Sequence, residues 1–125
     1  MPTRPPRTSA PRPVARFRLR VTAGEAIFVG PGKIALLEAI MHEGSLSAAA
    51  RKLGMSYRRA WLLIEDINSR MRKPAVIGAK GGPQGGSSEV TASGRRLVEL
   101  FRSVEGKISS RATADVRELN ELLAK

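Results

Sequence analysis

A mainly α-helical fold with small β elements is what this sequence predicts, on three observations. Apolar residues recur at intervals of three and four between residues 31 and 73 and again from residue 93 onward. Strict alternation of apolar and polar residues is confined to Arg16–Thr22. A glycine-rich stretch, KGGPQGGSS, separates two short apolar runs, Ala75 to Ala79 and Glu89 to Thr91.

Composition narrows what such a fold could serve. At 125 residues and 42% apolar content the chain can bury one modest core. Twenty-two Lys and Arg against 11 Asp and Glu give a formal charge of +11, which favours a polyanionic partner, nucleic acid first. The competing account of the charge is a basic tail serving solubility or attraction to a membrane surface. Without cysteine there is no disulfide framework or thiolate metal site, and the single His42 cannot build a histidine cluster. No apolar run approaches the ~20 residues needed to span a bilayer, and the N-terminus lacks the apolar segment of a secretory signal. The expectation is a soluble, cytoplasmic protein with no metal, no cofactor and no membrane partner.

Taken in order, residues 1–15 read as a disordered basic arm, because Met1 to Pro13 carries five prolines and three arginines and almost nothing apolar. A solvated tail is the simplest use of it, a phosphate or minor-groove contact the alternative. Arg16–Thr22 then predicts a half-buried strand with Phe17, Leu19 and Val21 inward, turning at Ala23, Gly24 and Glu25 into a second run, Ala26 to Val29. Pro31 and Gly32 open a helix to about Glu43 whose inner face is Ile34, Leu37 and Ile40 or Met41. His42 near its end reads as an ordinary, partly exposed histidine.

Gly44 to Asn68, GSLSAAARKLGMSYRRAWLLIEDIN, predicts two helices joined by a tight turn. Ser45 or Ser47 can cap the first, Gly54 ends it, and Ser56 can cap the second. Leu46, Ala49, Ala50 and Leu53 form the buried stripe of the first. On the second, Tyr57, Ala60, Trp61, Ile64, Ile67, Asn68 and Met71 fall on one side and Arg58, Arg59, Leu62, Glu65 and Asp66 on the other. Trp61 therefore reads as a core anchor rather than a platform for stacked bases. Pro74 stops this helix. The glycine-rich stretch reads as the tip of a two-stranded wing; it lacks the spacing of a nucleotide-binding loop. From Ser93 a long helix carries Leu97, Leu100, Phe101, Val104 and Ile108, and after a break near Thr113 to Asp115, Val116, Leu119, Leu122 and Leu123 repeat the stripe. A stripe that outruns one small core calls for a second copy of the chain.

An Ala-rich helix, a Gly-containing turn, a Ser-capped basic helix and a Gly-rich hairpin, in that order, define a winged helix-turn-helix, a fold that lays its second helix in the DNA major groove. The expected organisation is an arm (1–15), a winged helix-turn-helix DNA-binding unit with an N-terminal β-hairpin (16–92) and a helical dimerisation segment (93–125). Ser56, Tyr57, Arg58, Arg59 and Leu62 stand at the start of the second helix, where a guanidinium can chelate guanine O6 and N7. Ser45, Ser47, Arg51 and Lys52 flank it toward phosphate, and Lys80, Gly81, Gly82 and Gln84 occupy the wing.

The segments FVGPGKIALL, GSLSAAARKLGMSYRRAW, GGPQGG and TASGRRLVEL resemble the N-terminal winged-helix domain of the molybdate-responsive ModE-type regulators, whose DNA-binding units are related to those of LysR-type regulators. The resemblance covers roughly Phe17 to Gly106. It implies a non-enzymatic, dimeric transcription regulator that places Ser56 to Arg59 on double-stranded DNA. Two departures qualify it: Pro83 and Gln84 stand where the family wing often carries a basic residue, and the family's molybdate-binding β-domains lie beyond the last helix, so molybdate binding is not expected of this chain. The competing function is a non-specific architectural or RNA-binding protein, which a 4% aromatic content disfavours for single-strand reading.

Overall fold

The computed structural model describes residues 11–78 and 87–123. Its elements run β1 (Val21–Ala23), β2 (Ala26–Val29), α1 (Pro31–Glu43), α2 (Leu46–Lys52), α3 (Tyr57–Ser69), β3 (Val76–Gly78), β4 (Ser88–Val90), α4 (Ala92–Arg111) and α5 (Thr113–Leu123). The architecture is α+β: helices with two separate two-stranded antiparallel sheets, β1–β2 and β3–β4, in the order of a winged helix-turn-helix. Residues 1–10, which include most of the expected arm, and the wing tip at 79–86 lie outside the described residues.

Helix α1 is the centre. It buries Ile34, Leu36, Leu37, Ala39 and Ile40, a wider face than the expected Ile34, Leu37 and Ile40, because α2, α3 and α4 all pack against it. Met41 falls outside that face and is exposed. Around α1 close Leu46, Ala49 and Ala50 of α2, Ala60, Ile64 and Ile67 of α3, Val98 and Phe101 of α4, and Ala75, Val76 and Val90 at the base of the second sheet. The alanines of α2 and Ala60 let helix backbones approach closely.

Side-chain caps divide the helices as the sequence predicts. The Ser45 hydroxyl accepts the Ala48 N–H at 3.1 Å, leaving Ser47 inside the first turn, and Ser56 accepts the Arg59 N–H at 3.1 Å. Between these helices Gly54 adopts φ +68, the left-handed conformation that a side chain would strain. Gly44 does the same after α1, at φ +78.

Several expectations are corrected. The first strand spans Val21–Ala23, not Arg16–Thr22: β2 ends at Val29 because Pro31 opens α1, so residues before Val21 have no partner to pair with. Leu19 still packs against the core, whereas Phe17 and Val21 are exposed. Leu53 lies beyond the end of α2 and is exposed rather than part of its buried stripe. Helix α3 ends at Ser69, five residues before Pro74, as the Asn68 side chain turns to the backbone of Ala75 and Val76. The break in the C-terminal helix falls at Ala112, just before the expected Thr113 to Asp115, and Asp115 sits within the first turn of α5. The start of α4 packs into the core through Val98 and Phe101.

Candidate nucleic-acid interface

The candidate interface is the part of α3 that the core does not use. Ala60, Ile64 and Ile67, spaced four and three apart, form its buried line. Arg58, Leu62 and Glu65 lie roughly opposite that line at about 100° per residue, and all three are exposed. Tyr57 and Trp61 lie on one flank, and Arg59 and Asp66 on the other. Among the described residues Arg51, Arg58 and Arg59 make no ion pair, so their charge faces outward. Shallow concave patches cover this surface, one lined by Ser56, Arg58, Arg59, Leu62 and Leu63, another by Ser47, Ala50, Arg51, Met55 and Tyr57, spanning from α2 to α3.

Trp61 is the main departure here. It is 46% exposed, not the core anchor expected, because the buried line runs through Ala60 and places its neighbour about a quarter turn away. Tyr57, on the same flank, is likewise exposed. The inner side expected from the helical spacing holds for Ala60, Ile64 and Ile67 and fails for the flank residues Tyr57 and Trp61.

Polar contacts hold α3 in place from behind. Lys33 of α1 pairs with Asp66 and donates to the carbonyls of Ile27 and Phe28 at 3.1 and 3.0 Å, tying the first hairpin to α3. Arg70 donates to Asp66 at 3.0 Å and lies over the Phe28 ring, 4.8 Å from its centre. The Arg70 guanidinium, and after it the Lys33 ammonium, hold the Asp66 carboxyl below its ordinary range. In the same last turn Asn68 bonds the backbone of Ala75 and Val76 at the start of β3, and Thr91, while capping α4 at Gly94, donates to the Pro74 carbonyl at 2.7 Å. Sequence reasoning missed this framework; an Asn among the inner positions of an apolar helix face was the one signal for it.

The remaining expected residues divide. Ser45 and Ser47 sit at the start of α2, and Lys52 lies 4.0 Å from Glu43, whose carboxyl His42 approaches at 2.6 Å and keeps below its ordinary range. Lys80, Gly81, Gly82 and Gln84 lie outside the described residues. Of the stripe on α4, Phe101 is 4% exposed and belongs to the chain's own core, Leu97 is partly buried against it, and Leu100, Val104 and Ile108 are exposed, as are Leu119, Leu122 and Leu123 on α5. Among the described residues no group of three or more His, Cys, Asp or Glu is placed to hold a metal ion, and no helix is long and apolar enough to cross a membrane.

A helix-turn-helix followed by a two-stranded hairpin and a further helix makes this a winged-helix protein. Within that class the chain is a homologue of the ModE-type proteins, matching their N-terminal region. It is 37% identical over 114 residues to the molybdenum transport protein ModE of Azotobacter vinelandii, covering 91% of this chain and 42% of that one. It is 33% identical over 115 residues to the DNA-binding transcriptional dual regulator ModE of Escherichia coli (strain K12), covering 88% and 44%. To the molybdenum-pterin-binding protein MopB of Rhodobacter capsulatus it is 35% identical over 92 residues, covering 74% and 34%. The chain thus spans less than half the length of these curated relatives. No protein-family profile matches it.

Proposed function

We infer that the protein is a sequence-specific double-stranded DNA-binding transcription regulator that acts as a dimer on a pseudo-palindromic site, in the control of molybdenum transport or metabolism. The observation that carries this reading is the outward face of α3, where Arg58 and Arg59 stand without acidic partners among the described residues on a helix whose inner face is locked to the core. Rigid support is what base reading requires, because a guanidinium must meet guanine O6 and N7 at fixed distance. The charge of +11 supplies attraction to the phosphates. Relatives named as transcriptional regulators and molybdenum proteins support the biological setting.

The dimer rests on Leu100, Val104 and Ile108 of α4 and the leucines of α5, an apolar row left uncovered by the single chain. In this arrangement the winged unit reads DNA and the C-terminal helices set the half-site spacing, roughly 34 Å for one turn.

Selection of bound duplexes from a random pool, with and without molybdate, tests the reading. The expected result is an enriched motif with two half-sites, and an affinity that falls with salt at a slope of about −0.9 per phosphate contacted. Recovery of no motif would overturn the specific reading, and equal affinity for single strands and duplexes would replace it with non-specific nucleic-acid binding.

A further inference from the structure

The single tryptophan and single tyrosine of the chain both stand on the outward part of α3, 46% and 45% exposed. The core does not call for them: Ala60 is fully buried in the place nearest Trp61, and Ile64 and Ile67 complete the inner face. Four residues apart, the two rings occupy successive turns of one flank. With Arg58 between them they line one concave patch of Tyr57, Arg58 and Trp61. Among the described residues, cation–π contacts join Arg70 to Phe28 and Arg102 to Phe101, so the Arg58 guanidinium is not stacked on either ring and is free to extend.

A guanidinium beside an apolar ring matches a particular pair of neighbours in the major groove. Guanine offers two acceptors, O6 and N7, and thymine offers its C5-methyl group, the one apolar feature of the groove. Arg58 and Trp61 are about 4.5 Å apart along the helix axis, comparable with the ~3.4 Å between successive bases of one strand. We propose that Trp61 reads sequence by packing on the C5-methyl group of a thymine adjacent to the guanine held by Arg58.

This rests on the duplex-DNA reading above and extends it to a residue and a base. A second copy of the chain is a poor occupant of the same patch. Symmetric pairing there would bring Arg58 and its neighbours Arg51 and Arg59 against their own copies, burying like charges.

The test uses a duplex enriched from the random pool, with each thymine in turn replaced by uracil, which removes the methyl group and leaves the hydrogen-bonding edge unchanged. The full chain should lose affinity on the order of fourfold at one thymine per half-site, the effect of one buried methyl group. Trp61→Ala should bind thymine and uracil duplexes alike there, Trp61→Phe should keep part of the preference, and emission from the single tryptophan should change on saturation with the duplex. Indifference of the natural protein to every uracil replacement, unchanged emission, or a preference that survives in Trp61→Ala would overturn the proposal. So would a Trp61→Ala variant that changes only the oligomeric state. Because the duplex is chosen by its binding, each of these failures leaves the DNA-binding reading intact; failure to enrich any duplex overturns both. If Trp61→Ala does not fold, the uracil series and the emission of the natural protein still decide.

Discussion

The carboxamide of Asn68 grips Val76 from both sides of its backbone, Oδ1 accepting the Val76 N–H at 3.2 Å and Nδ2 donating to the Val76 carbonyl at 3.0 Å. Oδ1 also accepts the Ala75 N–H at 2.7 Å. One side chain in the last turn of α3 therefore fixes where the second sheet begins. Asn68→Ala would leave two backbone donors and a carbonyl without these partners, a loss of about 2–3 kcal/mol after partial rescue by water. Tm should fall on the order of 10 °C; an unchanged Tm would show that the grip does not hold the sheet in solution.

The close approach of α4 to the same sheet predicts opposite outcomes for two glycines of one helix. A Cβ at Gly94 would collide with the Ala75 carbonyl oxygen and come within 2.7 Å of Val90 Cγ1, whereas one at Gly106 would meet nothing within 4 Å. Gly94→Ala should destabilise by about 1–3 kcal/mol through overpacking. Gly106→Ala should stabilise by about 0.5–1 kcal/mol, since alanine restricts the unfolded chain and suits a helix interior. Urea denaturation of the two variants side by side measures both signs; a Gly94→Ala protein as stable as the natural one would contradict the packing of α4 on Ala75.

Most of this fold is legible in the sequence because local chemistry specifies it. Ser45, Ser56, Gly44 and Gly54 mark helix ends through caps and left-handed turns, which depend on residues a few positions apart. The misreadings share a different cause. Alternation at Arg16–Thr22 predicts a strand only if a partner is present, and Pro31 removes it. Trp61 is apolar and adjacent to a buried position, yet burial depends on how closely α3 meets α1 and α2, which Ala60 decides. The Lys33, Asp66 and Arg70 cluster joins residues 33 positions apart, and no periodicity announces such a meeting.

Acid should weaken this fold beyond what net charge alone predicts. Asp66 is held below its ordinary range by Arg70 and then Lys33, and Glu38 by Arg102, which donates to its two carboxylate oxygens at 3.0 and 2.5 Å across α1 and α4. A carboxyl that is more acidic in the folded chain than in the unfolded one adds stability above the unfolded value, about 4, and loses it as pH falls through the lower folded value. Stability should thus be level near neutrality and decline below about pH 4. In Arg102→Met the Glu38 carboxyl loses its partner, so part of the decline should vanish along with some stability at pH 7. Thermal unfolding of both proteins across this range decides it, and parallel curves would contradict a role for Glu38.

The arginines of the candidate interface should separate by what they touch on the proposed reading. Arg58 lies opposite the buried line of α3, beside Leu62 and Trp61, so Arg58→Ala should cost about 1–3 kcal/mol of discrimination and relax preference at one base pair. Arg59, on the other flank, should behave in the same way at a different position if it also reaches a base. Arg51 lines the patch on the α2 side with Ser47 and Met55, and on the proposed reading it meets a phosphate. Arg51→Ala should therefore weaken all duplexes alike and make the salt slope shallower by about 0.9, the loss of one displaced counterion. Lys80→Ala should do the same if the wing lies against the backbone. Titrations of matched and mismatched duplexes at several salt concentrations separate the two behaviours, and a changed base preference in Arg51→Ala would move that residue from the backbone to the base edges.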